Sequence, residues 1–177
     1  MLSKSLSEFH AYIEDLSLSD TVFEMDNFIQ HGDITTLEHV VAVAYTSFVL
    51  AKKLNADVRS TVRGAMLHDL YLYDWHIKDP ATRPPLTHGF THPAKAVENA
   101  QKYFEPSEKE LKIIRSHMWP LTPLHMPTSK EAFIVTIADK YCAVNETLGK
   151  YDDADLRKKI KEYLVFIKAE RAKKNVF

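Results

Sequence analysis

Cysteine occurs once in the 177 residues, as Cys142, so an internal disulfide is excluded, and its place in the apolar run IADKYCAVNE reads as a buried, inert thiol. Glycine is nearly as scarce, with four, and no stretch alternates apolar and polar residues for long. Sheet periodicity is therefore missing, and the periods that remain are helical. No apolar run approaches the roughly 20 residues needed to cross a bilayer; even VVAVAYTSFVLA is broken by Thr46 and Ser47 and ends at Lys52 and Lys53. The N-terminus, MLSKSLSEFHAYIEDLS, lacks the basic-then-apolar order of a secretory signal, and a cytoplasmic location is the expectation. Net charge is also nearly absent, at -1. That gives no whole-chain pull toward a nucleic-acid polymer or an anionic membrane, so any attraction for phosphate must be local.

What is present is the composition of a globular protein, 45% hydrophobic and 27% charged, at a length suited to one domain over residues 1–177. The expected class is all-α, a bundle of about eight helices. Thr35 with Glu38, Ser107 with Glu110 and Thr128 with Glu131 have capping-box spacing and open helices over about 36–54, 107–118 and 129–148. Gly149 is placed to close the last of these. Pro93, favoured at a first helical position, starts a helix over about 93–104. Others are expected near 5–16, 20–31, 57–73 and 153–173. Prolines gather in two loops, over 77–92 and 119–128, whose composition is that of ordered connections.

Three of the apolar helices carry polar groups where a core is called for: His39 in LEHVVAVAYTSFVLA, His68 and Asp69 in VRGAMLHDLYL, and Asp139 in EAFIVTIADKYCAV. An ionised carboxylate taken out of water is strongly penalised unless it is paired or bound to a metal. Adjacent helical residues point about 100° apart, so His68 and Asp69 cannot both escape a face this apolar. One buried histidine is usually a satisfied core residue. Four such residues together would need several independent polar networks, whereas one cation between the helices serves them all.

The order His39, then His68-Asp69, then Asp139 resembles the HD-domain superfamily of metal-dependent phosphohydrolases, over roughly residues 30–150. TTLEHVVAVA is similar to the family's first helix, VRGAMLHDL to its central one and IVTIADKYCA to its last metal helix. His92 in GFTHPAKAV and His117 in IIRSHMWPL fall where two-metal branches place further ligands; read singly, His92 also fits a helix cap and His117 a helix end. The resemblance implies a first ion held by His39, His68, Asp69 and Asp139, with Asp69 bridging to a second held by His92 and His117. Four imidazoles and two carboxylates suit iron, manganese, nickel, cobalt or zinc rather than an all-oxygen magnesium cage.

Two such ions share a water, lower its pKa to give a bridging hydroxide, and clamp the oxygens of an in-line phosphoryl displacement. This suits a chain with no nucleophile elbow, phosphate-cradling glycine loop or HExxH pattern. The expected substrate is a small phosphorylated molecule, a nucleotide or related phosphoester or phosphoanhydride. Asp69 and Lys140 are the candidate catalytic groups. Arg63, Lys95, Arg115 and Trp119 are the candidate substrate contacts, each with a plainer reading as a surface charge or packing ring. Tyr71, Tyr73 and Trp75 are further rings able to stack on a base or simply to pack. The residues after the HD pair, Leu70-Tyr71-Leu72, lack the glycine and lysine of the cyclic-dinucleotide phosphodiesterase branch, whose GYP signature is also missing. Two rivals share the ligand pattern: an HD-fold diiron oxygenase acting on a small polar substrate, and a nucleotide-binding regulatory module without turnover.

Overall fold

The computed structural model describes residues 2–76, 88–149 and 154–174. Among them are eight α-helices and one two-stranded hairpin. Helix α1 (Lys4–Ser17) starts at Ser3, whose hydroxyl accepts from the Leu6 amide, and buries Leu6, Phe9, Ile13 and Leu16 along one stripe. A short helix α2 (Asp20–Phe23) passes through a 3-10 turn (Glu24–Asn27) to the antiparallel strands β1 (Ile29–His31) and β2 (Ile34–Thr35). The helix expected over 20–31 is thus replaced beyond its first turns. Gly32 takes a left-handed φ of 56° at the tip, and β-branched Ile29, Ile34 and Thr35 favour the extended chain on either side.

Thr35 and Glu38 form the expected capping box at the start of α3 (Thr36–Lys53), which buries twelve of its residues and runs through the centre. Helix α4 (Val58–Leu67) is capped by Asp57 and stops six residues before the expected end, with His68 as its C-cap. Helix α5 (His88–Tyr103) begins upstream of the expected start, so Pro93 lies inside it. Of the loop expected over 77–92, residues 77–87 lie outside the described set and His88–His92 are helical. Helix α6 (Glu108–Ser116) opens on the Ser107–Glu110 box and has His117 as C-cap.

Helix α7 (Lys130–Leu148) is capped by Ser129, not Thr128. Glu131 is not free to complete a box there, because its carboxylate accepts from the Asp57 amide at 3.0 Å. Gly149 closes α7 in the left-handed region, as expected. Helix α8 (Ala154–Lys174) packs at the periphery through Leu156, Ile160, Tyr163, Leu164 and Ile167. One apolar cluster joins these elements, and α3, α4 and α7 meet within it. No described helix is long and apolar enough to cross a membrane.

Candidate metal centre

The site grows from helix ends. An α-helix leaves its last carbonyls without intrahelical donors. At the end of α4 the His68 Nδ1–H donates to the Ala65 carbonyl at 2.7 Å, and at the end of α6 the His117 Nδ1–H donates to the Ile114 carbonyl at 2.7 Å. Within α5, His92 Nδ1–H donates to the His88 carbonyl at 2.9 Å. A carbonyl can only accept, so each ring carries its hydrogen on Nδ1 and presents the bare Nε2 to the interior. His39, from the first turn of α3, turns its Nδ1 to a carboxylate instead, 2.8 Å from Glu146 Oε2 on α7.

Asp69 sits on the turn after α4. Leu70 N–H bonds the Leu67 carbonyl, Tyr71 N–H bonds the Asp69 carbonyl, and Asn99 of α5 donates to the Leu70 carbonyl at 2.7 Å. Its two oxygens divide the cluster. Oδ2 lies 3.4 Å from His68 Nε2 and 3.8 Å from His39 Nε2, and accepts from Gln30 Nε2 at 2.8 Å. Oδ1 lies 3.1 Å from His92 Nε2 and 3.4 Å from His117 Nε2. Asp139 closes the first side, with Oδ1 at 3.2 Å from His39 Nε2 and 3.8 Å from His68 Nε2. All six side chains are buried.

These contacts fit cations better than hydrogen bonds. The Nε2 atoms of His92 and His117 stand 2.8 Å apart, yet both rings have spent their one hydrogen on a carbonyl, so two lone pairs face each other. His68 Nε2 and Asp69 Oδ1 are buried with no hydrogen-bond partner. Groups of three donors able to hold an ion include His39, His68 and Asp69; His68, His117 and Asp139; and Asp69, His92 and His117. The donor chemistry, four imidazoles with two carboxylates, is that of first-row transition ions.

The electrostatics of the metal-free chain differ across the cluster. Burial alone lowers His39, but the Asp139 and Glu146 carboxylates overcome it and hold this ring up at about 10. His117 is pushed down to about 3 by burial and by the facing His68 and His92. Burial opposes ionisation of Asp69, yet His68, His92 and His117 hold it well below the usual carboxylate range.

Residues 36–144 match the family described as HD domain. The chain belongs to the HD domain family. Comparison with curated proteins and with solved structures finds no match. Membership places the chain among metal-dependent phosphohydrolase-type proteins, and the buried histidine and aspartate cluster suits divalent ions.

Around the HD domain's candidate ligands, the expected substrate contacts fall at different places. Lys140 is brought to the centre: its Nζ is 2.6 Å from Asp139 Oδ2 and donates to the His117 carbonyl at 3.1 Å. Arg63 is given structural work instead. Its buried guanidinium joins α1 to α4 and α6, at 2.6 Å from Asp15 and 3.2 Å from Glu110, in keeping with its plainer reading as a structural charge. Lys95 pairs with Glu98 on the exposed side of α5, Arg115 is exposed on the last turn of α6, and Trp119 packs edge-on to Phe133. An aromatic column reaches the candidate ligands: Trp75 stacks on His88, and His88 on His92 with centroids 4.6 Å apart. Tyr71 is buried against Gln30 and Thr36, while Tyr73 bonds His88.

Three residues at the centre escape a reading of the sequence. Glu146 lies seven positions after Asp139, two turns along the same face, and that spacing was the available signal. Gln30 and His31 carry none, because they sit on a hairpin read as helix. His31 is half-buried with its ring 5.6 Å from that of His39.

Proposed function

We propose that this chain is a phosphohydrolase that holds two divalent transition-metal ions, bridged by Asp69, and cleaves a small phosphorylated substrate of the nucleotide or phosphoester class. The observation carrying this reading is the division of the ligands by one carboxylate: Asp69 Oδ2 faces His39 and His68, and Oδ1 faces His92 and His117. Bound there, the ions supply an acidified water and positive charge for the phosphoryl oxygens. The chain's own groups do the rest. His68, His92 and His117 are oriented by their Nδ1–H bonds to backbone carbonyls, which aim Nε2 inward, and His39, held between Glu146 and Asp139, would release its second proton to take an ion. Lys140, partly exposed at the rim, is the cation placed to meet a substrate phosphate. Trp75 and Tyr73, stacked and bonded around His88, offer a flat wall beside His92.

The test is elemental analysis of protein purified without chelator, followed by a screen of phosphate esters, dinucleotides and polyphosphates with Mn, Fe, Co and Ni. Two ions per chain and metal-dependent phosphate release are expected. Iron-dependent oxygen uptake without phosphate release, or tight nucleotide binding without product under every metal, overturns the hydrolase reading.

A further inference from the structure

Resting on the two-ion reading, we propose that the two positions are unequal and fill in order: the one formed by His39, His68, Asp139 and Asp69 Oδ2 binds first, with Glu146 as its positioning residue, and the one formed by His92, His117 and Asp69 Oδ1 holds an exchangeable second ion.

The groups behind the ligands carry this. On the second side His92 and His117 donate their Nδ1 hydrogens to backbone carbonyls, which are neutral. On the first side His39 donates to the Glu146 carboxylate at 2.8 Å. A full negative charge behind an imidazole makes its other nitrogen a stronger donor to a metal. The first side also has four protein donors against three, and Asp139 adds a second carboxylate there. Lys140 returns some positive charge, but it bonds Asp139 Oδ2, the oxygen not turned to the histidines. Asp69 is shared and so does not discriminate.

Gln30 keeps the sharing in register. Its amide nitrogen donates to Asp69 Oδ2 at 2.8 Å, and its carbonyl oxygen accepts from the hydroxyls of Tyr71 and Thr36. The Tyr71 hydroxyl donates to that oxygen, so the amide cannot turn over without losing this bond. Asp69 therefore presents the same oxygen to each side, and the difference between the positions is built in before metal arrives.

Metal-free protein is titrated with Co2+ under anaerobic conditions, following heat and ligand-field absorption together, without substrate. Wild type is expected to bind in two steps. Glu146→Gln, which keeps an acceptor for Nδ1 but removes the charge, is expected to weaken the first step roughly 10- to 100-fold, shift its absorption band and leave the second step unchanged. His92→Gln is expected to remove the second step alone. If Glu146→Gln weakens both steps alike or neither, or if His92→Gln removes the first step, the proposal is overturned. Glu146→Asp serves as the second variant, since it retains charge but withdraws it from Nδ1; an unaltered first step there also overturns it. A single step in wild type sinks the two-ion site itself. Two ordered steps without phosphate release in the activity screen sink only the hydrolase assignment.

Discussion

A neutral imidazole has one hydrogen to give, and in this site His68, His92 and His117 give theirs to their own helices, whereas His39 reaches across to Glu146. The consequence for the metal-free chain is opposite at the two ends. His39 is held at about 10, above its ordinary 6.5, so its stabilising charge is complete below pH 6.5 and lost as pH rises toward 10. His117 is held at about 3, so the unfolded chain takes up a proton that the folded one refuses, and stability falls as pH drops below 6.5. The melting temperature in chelator is therefore expected to decline on both sides, and His39→Gln is expected to flatten the alkaline limb. An alkaline decline that persists in that variant would assign it elsewhere. Lys140 is separable from this pair. Its Nζ leans on Asp139 yet remains partly in solvent, so Lys140→Ala is expected to lower turnover on a phosphoester roughly 100-fold, as loss of one charge-stabilising donor does, with both ions retained. Loss of an ion instead would make Lys140 a prop for Asp139 only.

Helices α4 and α6 bring His68 and His117 together only because their backbones approach closely at Gly64. A methyl group there meets Ile113 Cγ2 at 2.8 Å and Ile113 Cβ at 3.0 Å. Gly64→Ala gains about 1 kcal/mol of helix propensity but forces the two helices apart, an overpacking that costs about 1–3 kcal/mol. The expected result is a lower melting temperature together with weaker binding of the second ion, because His117 moves off Asp69; a variant as stable as wild type with unchanged metal binding would show that Ile113 simply yields. Elements of this kind were unevenly legible. The Thr35–Glu38 and Ser107–Glu110 boxes are local chemistry and could be read directly, whereas Thr128–Glu131 has the same spacing and fails because Glu131 is claimed by Asp57, 74 residues away. The helix expected over 57–73 kept going on its apolar pattern, while the chain turns at His68 to put Asp69 among the ligands and takes Leu72 through a left-handed φ of 54°. In α7, Phe133, Ile137, Tyr141, Val144 and Leu148 lie on the exposed side.

Across the whole molecule, the candidate ligands span residues 39 to 139 and come from α3, the ends of α4 and α6, α5 and α7. Their order and residue type were legible because buried histidine and aspartate stand out against apolar helices. Gln30 and Glu146 were not, since an amide in a short hairpin and an acid near a helix end look like surface until the chain is folded. Because those five elements converge on one point, ions bound there tie the bundle together, and binding to the native state alone stabilises it by mass action. A free ion concentration about 1,000-fold above Kd contributes about 4 kcal/mol. For a domain of this size about 1 kcal/mol moves the midpoint by about 2–4 °C. Chelator is therefore expected to lower the melting temperature by roughly 10 °C, restored by adding Mn2+ or Co2+. His92→Gln is expected to keep part of that rise, because the His39, His68 and Asp139 side remains complete, while Asp69→Ala is expected to lose nearly all of it. Equal melting temperatures with and without metal in wild type would mean that the cluster holds no ion in the folded chain, and the lone pairs of His92 and His117, 2.8 Å apart, would then need a proton between them.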